Sequence, residues 1–502
     1  MSQAEASVDG GREPAAMSVR GAAVWAMGGQ YLSFAIQFIT SVIISRFFLS
    51  PAEVGLFSIG MAAALLASVL QDFGLSRYIS GLPVLDEAEI ARCSSVALLF
   101  SFVVAGIIAL AAWPIAAAYQ QPALFQIMLI IAASYLFVPL AVVPMALLGR
   151  TMSFHSHFAI NVGAAAAQGV TALVMAALGF SAFALAGGTL AFGIARGLIA
   201  QVIRPALPWP LRLDKIKPIV GTGSRLSTLY AIGAAGSRTP DMIVGKALGL
   251  FAVGLYSRAA SLSDQFRMLI SGAIGSVFYP AFARIRDRGE PIGPAYIRVC
   301  AGYSAVIWPG MAGLALASAP IVRILYGPVW AGVSPPLATI ALTEILIVSL
   351  PLHTDLPILL GKLNRLLFVN LTDTILSVTL LIAGCRWGID GAASSRLVYG
   401  AGFILLYARF LHGIIKFDVK TLLRIYVKSA LVTLAALTPL LLTYALWQSP
   451  QDITLPVLML GSGAGVICWL ATLVALKHPA WHEIHAMAAS VLGPLYRKVV
   501  TA

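Results

Sequence analysis

Charged residues are scarce in this chain of 502 residues. Only 11% are Asp, Glu, Lys or Arg, against about 25% in ordinary soluble domains, while 59% are apolar and the mean hydropathy is +0.90. This balance excludes a soluble globular enzyme and an intrinsically disordered chain. A transmembrane barrel is excluded too, because barrel strands alternate apolar with polar residues. The class that remains is a polytopic helical membrane protein, and the long uncharged runs indicate it.

Cysteine is rare as well, and no catalytic motif is visible. The four cysteines show no CxxC or Cys/His spacing, so we interpret them as small packing residues. No Walker A loop, metal-ligand cluster or nucleophile motif occurs. We therefore expect a protein that is not an enzyme and needs neither a cofactor nor a metal.

Basic residues outnumber acidic ones by 33 to 20, giving a net charge of +13. They do not form one patch, which argues against nucleic-acid binding. Instead they fall between apolar runs, and most lie on one side if the N-terminus is inside. This bias predicts that both termini are cytoplasmic.

Uncharged runs of about 20 residues predict an all-α, polytopic membrane protein of about 14 transmembrane helices. The segment 44–58 resembles the segment 243–257 at an offset of 199 residues, and later pairs match at 209 and 212. This spacing indicates a parallel internal repeat of two six-helix lobes, followed by two additional helices.

The predicted divisions of the chain follow from these runs. They are a disordered cytoplasmic tail (1–20), an N-terminal six-helix lobe (21–206), a cytoplasmic linker (207–218), a C-terminal six-helix lobe (219–415), two additional helices (416–477) and a cytoplasmic amphipathic tail (478–502).

Several short motifs occur in a distinctive order along the chain. They are Glu53-Val-Gly-Leu-Phe57, Gln71-Asp-Phe-Gly-Leu75, Gly254-Leu-Tyr-Ser-Arg-Ala259, Pro280-Ala-Phe-Ala-Arg-Ile285 and Tyr326-Gly327 before Trp330. Their order resembles the polysaccharide transporter family, within the multidrug/oligosaccharidyl-lipid/polysaccharide exporter superfamily. The Pro280–Ile285 run is similar to the branch that exports exopolysaccharide and colanic-acid-type repeat units.

The resemblance implies a flippase for undecaprenyl-diphosphate-linked oligosaccharide in the lipid bilayer of a bacterial inner membrane. It would serve exopolysaccharide, O-antigen or capsule synthesis, with a polysaccharide polymerase and a chain-length regulator as partners. Two alternatives stay open: an ion-coupled small-molecule or drug antiporter of the same superfamily and, less favoured, a membrane polysaccharide polymerase or ligase. The short outer loops argue against the enzyme.

Inserting a charged side chain at the centre of a membrane-spanning helix costs about 2.5–3.5 kcal/mol, so each such residue is a candidate for a structural or functional role. We predict that Arg258, Arg267, Arg196 and Arg396 line a cationic cavity that binds the substrate diphosphate by charge-assisted bonds. The alternative is structural: Arg267 pairs with Asp264 at i,i+3, and Arg258 snorkels to the interface.

Two further sets of charges are candidates for gating and coupling. Four charges lie at the predicted outer ends of span 1 (21–45) and span 7 (219–240): Arg46, Arg238, Asp241 and Lys246. They form an outer gate or a docking point for exported glycan, or they are ordinary solvated loop residues. The acids Asp264, Glu344 and Asp373 are candidates for carrying a coupling proton or sodium ion.

Overall fold

The structure is a computed structural model, and it describes residues 19–69, 75–82, 85–207, 209–214, 233 and 236–481. Every regular element within these ranges is a helix, which confirms the predicted all-α class. The predicted tails (1–20 and 478–502) fall almost entirely outside the described residues, as does most of the predicted seventh span (219–240).

The helices follow one another with short connections. In the first half they are α1 (Val19–Phe47), α2 (Pro51–Ser68), α3 (Leu75–Gly81), α4 (Glu87–Tyr119), α5 (Pro122–Tyr135), α6 (Pro139–Arg150), α7 (Phe154–Ala177) and α8 (Phe183–Ile203). In the second half they are α9 (described over 236–248), α10 (Leu250–Asp287), α11 (Ile292–Leu316), α12 (Ser318–Tyr326), α13 (Ser334–Val348), α14 (Asp355–Leu359), α15 (Leu363–Gly384), α16 (Gly388–Ile415), α17 (Val419–Leu446) and α18 (Leu455–Ala475).

Ten helical stretches in these ranges are long and apolar enough to cross a membrane, or up to eleven if the pair α5–α6, bent by 41°, is one span. One stretch, Leu363–Ile415, is 53 residues long and holds both α15 and α16, which pack against each other as a hairpin. The total of fourteen crossings is not confirmed and stays a prediction.

The chain forms two compact units. The first is built from parts of 1–41, 70–114 and 128–227, and the second from 42–69, 115–127 and 228–502. The second unit therefore includes α2 and the α4–α5 turn, which come from the first sequence repeat. The predicted domain divisions of the chain stay a prediction.

Within the second unit, α2 crosses α10 at glycines that are equivalent in the repeat. A Cβ atom added to Gly55 would lie 2.0 Å from the carbonyl oxygen of Leu250, and one added to Gly254 would lie 1.8 Å from that of Pro51. Each of these residues is 199 positions from its counterpart, so the contact is reciprocal. Only glycine permits backbones to approach this closely.

A serine pair continues the same crossing. The hydroxyl oxygens of Ser58 and Ser257 are 2.8 Å apart, and their separation in sequence is again 199 residues. Self-complementary contacts of this kind arise around a two-fold axis. The contact thus supports the duplication that the sequence indicated.

A chain of hydrogen bonds holds the segment after α18 against α17 and α11. The backbone N–H of Ala480 donates to His478 Nδ1 over 3.2 Å, so Nε2 of the neutral ring carries the proton and donates to Ser429 Oγ over 3.0 Å. Ser429 in turn contacts Ser304 at 2.8 Å, and Ser304 donates to the carbonyl of Cys300. This chain joins α18 to α17 and α11.

His478 predicts a pH dependence at this end of the molecule. Burial of the side chain, reinforced by Lys428, lowers the pKa of His478 to about 4, below its ordinary value of 6.5. The neutral ring therefore stabilises the docked helices fully above pH 6.5, and this contribution falls as the pH drops from 6.5 towards 4.

Hydrogen exchange over 455–481, corrected for the intrinsic rate, measures this effect. We expect protection to be lower at pH 5 than at pH 7.5 in the wild type. His478→Gln keeps an N–H donor for Ser429 but does not titrate, so its protection should not change between the two pH values. The same pH dependence in both proteins would contradict the assignment.

Candidate functional site

A guanidinium lies between two carboxylates in the second compact unit. Arg267 on α10 places Nη2 3.2 Å from Asp264 Oδ1 and Nε 3.0 Å from Glu344 Oε2 on α13. The Nε contact is an ion pair by distance, without hydrogen-bond geometry. The Asp264 side chain is 55% exposed and that of Glu344 only 12%. The expected i,i+3 pair therefore forms, and the buried partner of Arg267 is Glu344.

A second polar cluster connects α15 with α16. Arg396 donates from Nη1 to Ser377 Oγ over 3.0 Å, and its guanidinium carbon lies 4.7 Å from the centre of the Tyr399 ring. The Tyr399 hydroxyl donates to Asp373 Oδ2 over 3.1 Å. The other oxygen, Oδ1, is buried and accepts no hydrogen bond from the described residues.

The two clusters are electrostatically connected. Arg396 is close enough to attract both Glu344 and Asp373, and Asp264 is close enough to repel Glu344. Together the clusters hold three carboxylates and two guanidiniums. If all five groups are ionised, the clusters together carry one net negative charge.

Arg258 lies elsewhere in the same unit, among aromatic rings. Its guanidinium carbon is 5.5 Å from the centre of the Tyr326 ring and 5.6 Å from that of Trp330. Trp330 is fixed in turn, because its indole N–H donates to the carbonyl of Ser45 over 2.8 Å. Arg258 is only 8% exposed. Cation–π contacts of this kind favour a packing role over snorkelling or direct contact with substrate.

Arg196 belongs to the first compact unit. It lies on α8, half-buried, with its guanidinium carbon 5.8 Å from the centre of the Phe192 ring. Its Nε is buried and donates no hydrogen bond to the described residues. Of the four predicted cavity arginines, Arg267 and Arg396 lie in the clusters that contain carboxylates.

Two predicted gate residues cap the ends of helices in the second unit. Arg46 at the end of α1 donates to the carbonyls of Ile324 and Leu325 in the last turn of α12, the latter over 3.4 Å. Lys246 at the end of α9 donates to the carbonyl of Ala118, in the last turn of α4, over 2.5 Å. Both cations lie where helix dipoles favour positive charge.

The other two predicted gate residues, Arg238 and Asp241, lie on α9. Arg238 is exposed and Asp241 is half-buried, and the two attract each other electrostatically. They occupy the same helix as Lys246.

Sequence reasoning missed several residues of these sites. Tyr399 lies three positions after Arg396, a spacing that places the two side chains on one helix face and could have indicated the contact. Tyr119 lies with its ring centre 5.9 Å from the Lys246 ammonium, and its hydroxyl donates to the carbonyl of Met242. Tyr119 ends a long uncharged run, and no sequence pattern marks it as a site residue. No pattern marks Ser377 either.

Long apolar helices that carry ionisable groups, as found in the described residues, together with a sequence repeat are typical of a multi-pass membrane transporter. Residues 23–335 match the family model described as polysaccharide biosynthesis protein. The chain belongs to this family, which confirms the resemblance that the motifs indicated.

Two curated relatives have related names. The chain is 24% identical over 353 residues to the succinoglycan biosynthesis transport protein ExoT of Rhizobium meliloti (strain 1021), covering 67% of this chain and 68% of the relative. It is 21% identical over 299 residues to the lipopolysaccharide biosynthesis protein WzxC of Escherichia coli (strain K12), covering 59% of this chain and 60% of the relative.

Solved structures share the fold. The lipid II flippase MurJ in an inward closed conformation matches with a TM-score of 0.61 at 15% identity, covering 89% of this chain and 98% of that one. An inward-facing multidrug resistance MATE family transporter matches with a TM-score of 0.55 at 14% identity, covering 78% and 96%.

The charge pair of Arg267 makes a prediction about stability. Arg267→Ala leaves the buried Glu344 carboxylate without its partner, which costs about 3–5 kcal/mol when a buried pair is broken. We expect the unfolding temperature in detergent to fall by several degrees. Arg267→Ala combined with Glu344→Gln should recover most of the loss, because the unpaired charge is gone.

Arg386→Ala is the matched control, since Arg386 is an exposed arginine at the turn between α15 and α16. An unchanged unfolding temperature for Arg267→Ala would show that the pair contributes little to stability.

Proposed function

We propose that this protein moves undecaprenyl-diphosphate-linked oligosaccharide repeat units across the bacterial inner membrane, for exopolysaccharide, O-antigen or capsule synthesis. The family match, together with relatives named for succinoglycan transport and lipopolysaccharide biosynthesis, supports this proposal most strongly. The parallel repeat supports alternating access as the mechanism.

In this proposal the diphosphate binds Arg267. The side chain of Arg267 is 33% exposed, and its partner Asp264 is more than half exposed. Such exposed pairs are weak, whereas a guanidinium binds phosphate oxygens in a fork with charge-assisted bonds. The diphosphate displaces Asp264 from Arg267, while Glu344 keeps the guanidinium oriented.

Arg396 and Arg196 are proposed as further substrate contacts. Arg396 is half-buried and oriented by Ser377 and Tyr399. Arg196 has a buried Nε with no hydrogen bond to a described residue, so a ligand oxygen would satisfy it. For Arg258, which lies against Tyr326 and Trp330, we propose a packing role in place of the predicted direct contact with substrate.

The excess carboxylate provides a means of energy coupling. After substrate has left on the outer side, this excess carboxylate takes up a proton or cation there and releases it once the site faces the cytoplasm. Glu344 and Asp373 share the same electrostatic environment through Arg396. A gradient of that ion would then drive the cycle, with Asp264, Glu344 and Asp373 as the candidate carriers.

An ion-coupled antiporter for small molecules is the second candidate. Three carboxylates against two guanidiniums give this part of the second unit a negative balance, and a cationic drug would be attracted to it. The fold likeness to a MATE family transporter is compatible with this function. Neutralisation of Asp264 brings this balance only to zero, so diphosphate binding would depend on direct contact with the guanidinium of Arg267.

We propose that both termini lie in the cytoplasm. A polysaccharide polymerase and a chain-length regulator would act on the product outside. Exposed basic residues at one end of the second unit support this orientation. They include Arg284 and Arg286 in the last turn of α10, Arg288 directly after it, Lys362 before α15 and Lys416 after α16.

Flipping of a fluorescent undecaprenyl-diphosphate oligosaccharide in proteoliposomes tests the proposal. The wild type should transport it, and Arg267→Lys should reduce the rate about tenfold or more, because the bidentate fork is lost while the charge that pairs with Glu344 stays. Arg365→Lys, at an exposed position, is the matched control.

Two outcomes would count against this function. Equal rates for Arg267→Lys and the wild type would remove Arg267 from the substrate site. Absence of flipping by the wild type, together with proton-coupled efflux of a cationic dye, would favour the antiporter.

A further inference from the structure

One side of α17 carries an exposed apolar stripe. The helix packs against α11 and α18, and the residues that it buries include Leu422, Ile425 and Ser429. Another set of its side chains is 47–61% exposed and recurs every three or four residues, on one face of the helix: Leu423, Val427, Leu431 and Leu434. We call these four residues the α17 stripe. Apolar side chains exposed in this pattern on a membrane-spanning helix contact lipid tails.

Two cations stand where the stripe begins. Lys420 and Arg424 are both exposed, and their spacing of four residues places them on the same side of α17 as Leu423 and Val427. Among the described residues, no carboxylate forms an ion pair with either side chain. Asp418 attracts Lys420, but its two carboxylate oxygens cap the helix by accepting from the backbone N–H groups of Lys420 over 3.1 Å and of Thr421 over 3.2 Å. Arg424 therefore presents its guanidinium outwards.

The next cation along the helix is satisfied by the protein itself. Lys428 is half-buried and donates from Nζ to the carbonyl oxygens of Leu476 over 2.9 Å and Lys477 over 3.5 Å, at the end of α18. The cation nearer the middle of the helix thus has internal partners, as burial requires. Lys420 and Arg424, nearer the helix end, remain open to a ligand from outside the protein.

The length of α17 places these two cations at the level of lipid head groups. Trp447 directly follows the helix at its other end and is 69% exposed, and exposed tryptophans favour the membrane interface. It follows Arg424 by 23 positions, or about 35 Å at 1.5 Å per residue. This length slightly exceeds a hydrocarbon core of about 30 Å. Arg424 therefore lies at the opposite interface, which is the inner one when the termini are cytoplasmic.

We propose that Lys420 and Arg424 bind the phosphate of an anionic phospholipid of the inner leaflet, with its acyl chains along the α17 stripe. The guanidinium of Arg424 binds two phosphate oxygens in a fork, and Lys420 adds a second charge-assisted bond. A head group without an amine, such as phosphatidylglycerol, is preferred, because the two cations repel the ammonium of a zwitterionic lipid. This site goes beyond the proposed function, since it is separate from Arg267 and does not depend on which substrate is moved.

Photolabelling in lipid nanodiscs tests the site. The probes are a phosphatidylglycerol and a phosphatidylcholine that carry the same diazirine in one acyl chain, and mass spectrometry locates the label. In the wild type, the phosphatidylglycerol probe should label residues 423–434 more than the phosphatidylcholine probe does. Lys420→Gln combined with Arg424→Gln should lower labelling by phosphatidylglycerol about fivefold or more, because two attractive charges are lost at the head group.

Two controls show that the loss is specific. Labelling of the same stripe by phosphatidylcholine should not change in the double variant, which shows that α17 is still folded and exposed to lipid. Arg288→Gln combined with Arg365→Gln removes two other exposed cations of the second unit and should leave labelling of α17 by phosphatidylglycerol unchanged. Equal labelling by phosphatidylglycerol in the wild type and in the Lys420→Gln, Arg424→Gln variant would overturn the proposal.

Competition identifies the source of the phosphate. Unlabelled phosphatidylglycerol in excess should suppress the label on 423–434, and an undecaprenyl-diphosphate oligosaccharide at the concentration of the probe should not. If the oligosaccharide lipid displaces the probe at that concentration, the stripe is a substrate site and the phospholipid proposal is wrong. The labelling needs no transport, so a wild type that labels as expected but flips no oligosaccharide would contradict the proposed function and leave the phospholipid site in place.

Discussion

The cost of an unpaired charge away from water governs the polar architecture of this protein. In the second compact unit, Arg267 is held between Asp264 and Glu344, and Arg396 is oriented by a serine hydroxyl and a tyrosine ring. Arg258 is satisfied in another way, between two aromatic rings. Each cation thus has a different kind of partner. The kind of partner decides how readily a ligand could take the partner's place.

Duplication gives the second constraint. A repeat whose copies run parallel brings equivalent helices face to face, so a small residue useful in one copy is useful in the other. Gly55 and Gly254 show this directly, since each makes room for the backbone opposite. Arg46 and Lys246 lie one position apart at the same offset, and each caps the end of another helix, because a helix terminus needs only a positive charge.

Composition and uncharged runs were enough to predict the helical class, and motif order was enough to predict the family. Pairing of Arg267 with Asp264 followed from helical spacing, but its contact with Glu344 did not, because the two residues are 77 positions apart in sequence and meet only through packing of α10 on α13. The burial of Arg258 was likewise unpredictable, since Tyr326 and Trp330 lie on separate elements. The repeat offset was visible in sequence, whereas the reciprocity of the contacts required the structure.

The length of α10 has a mechanical consequence. Its 38 residues extend for about 57 Å at 1.5 Å per residue, well beyond a hydrocarbon core of about 30 Å. Gly254 lies near one end, Arg267 lies midway, and Arg286 near the other end donates to the carbonyl of Leu359. Because one continuous helix carries the crossing, the ion pair and the contact of Arg286, a tilt of α10 displaces all three together.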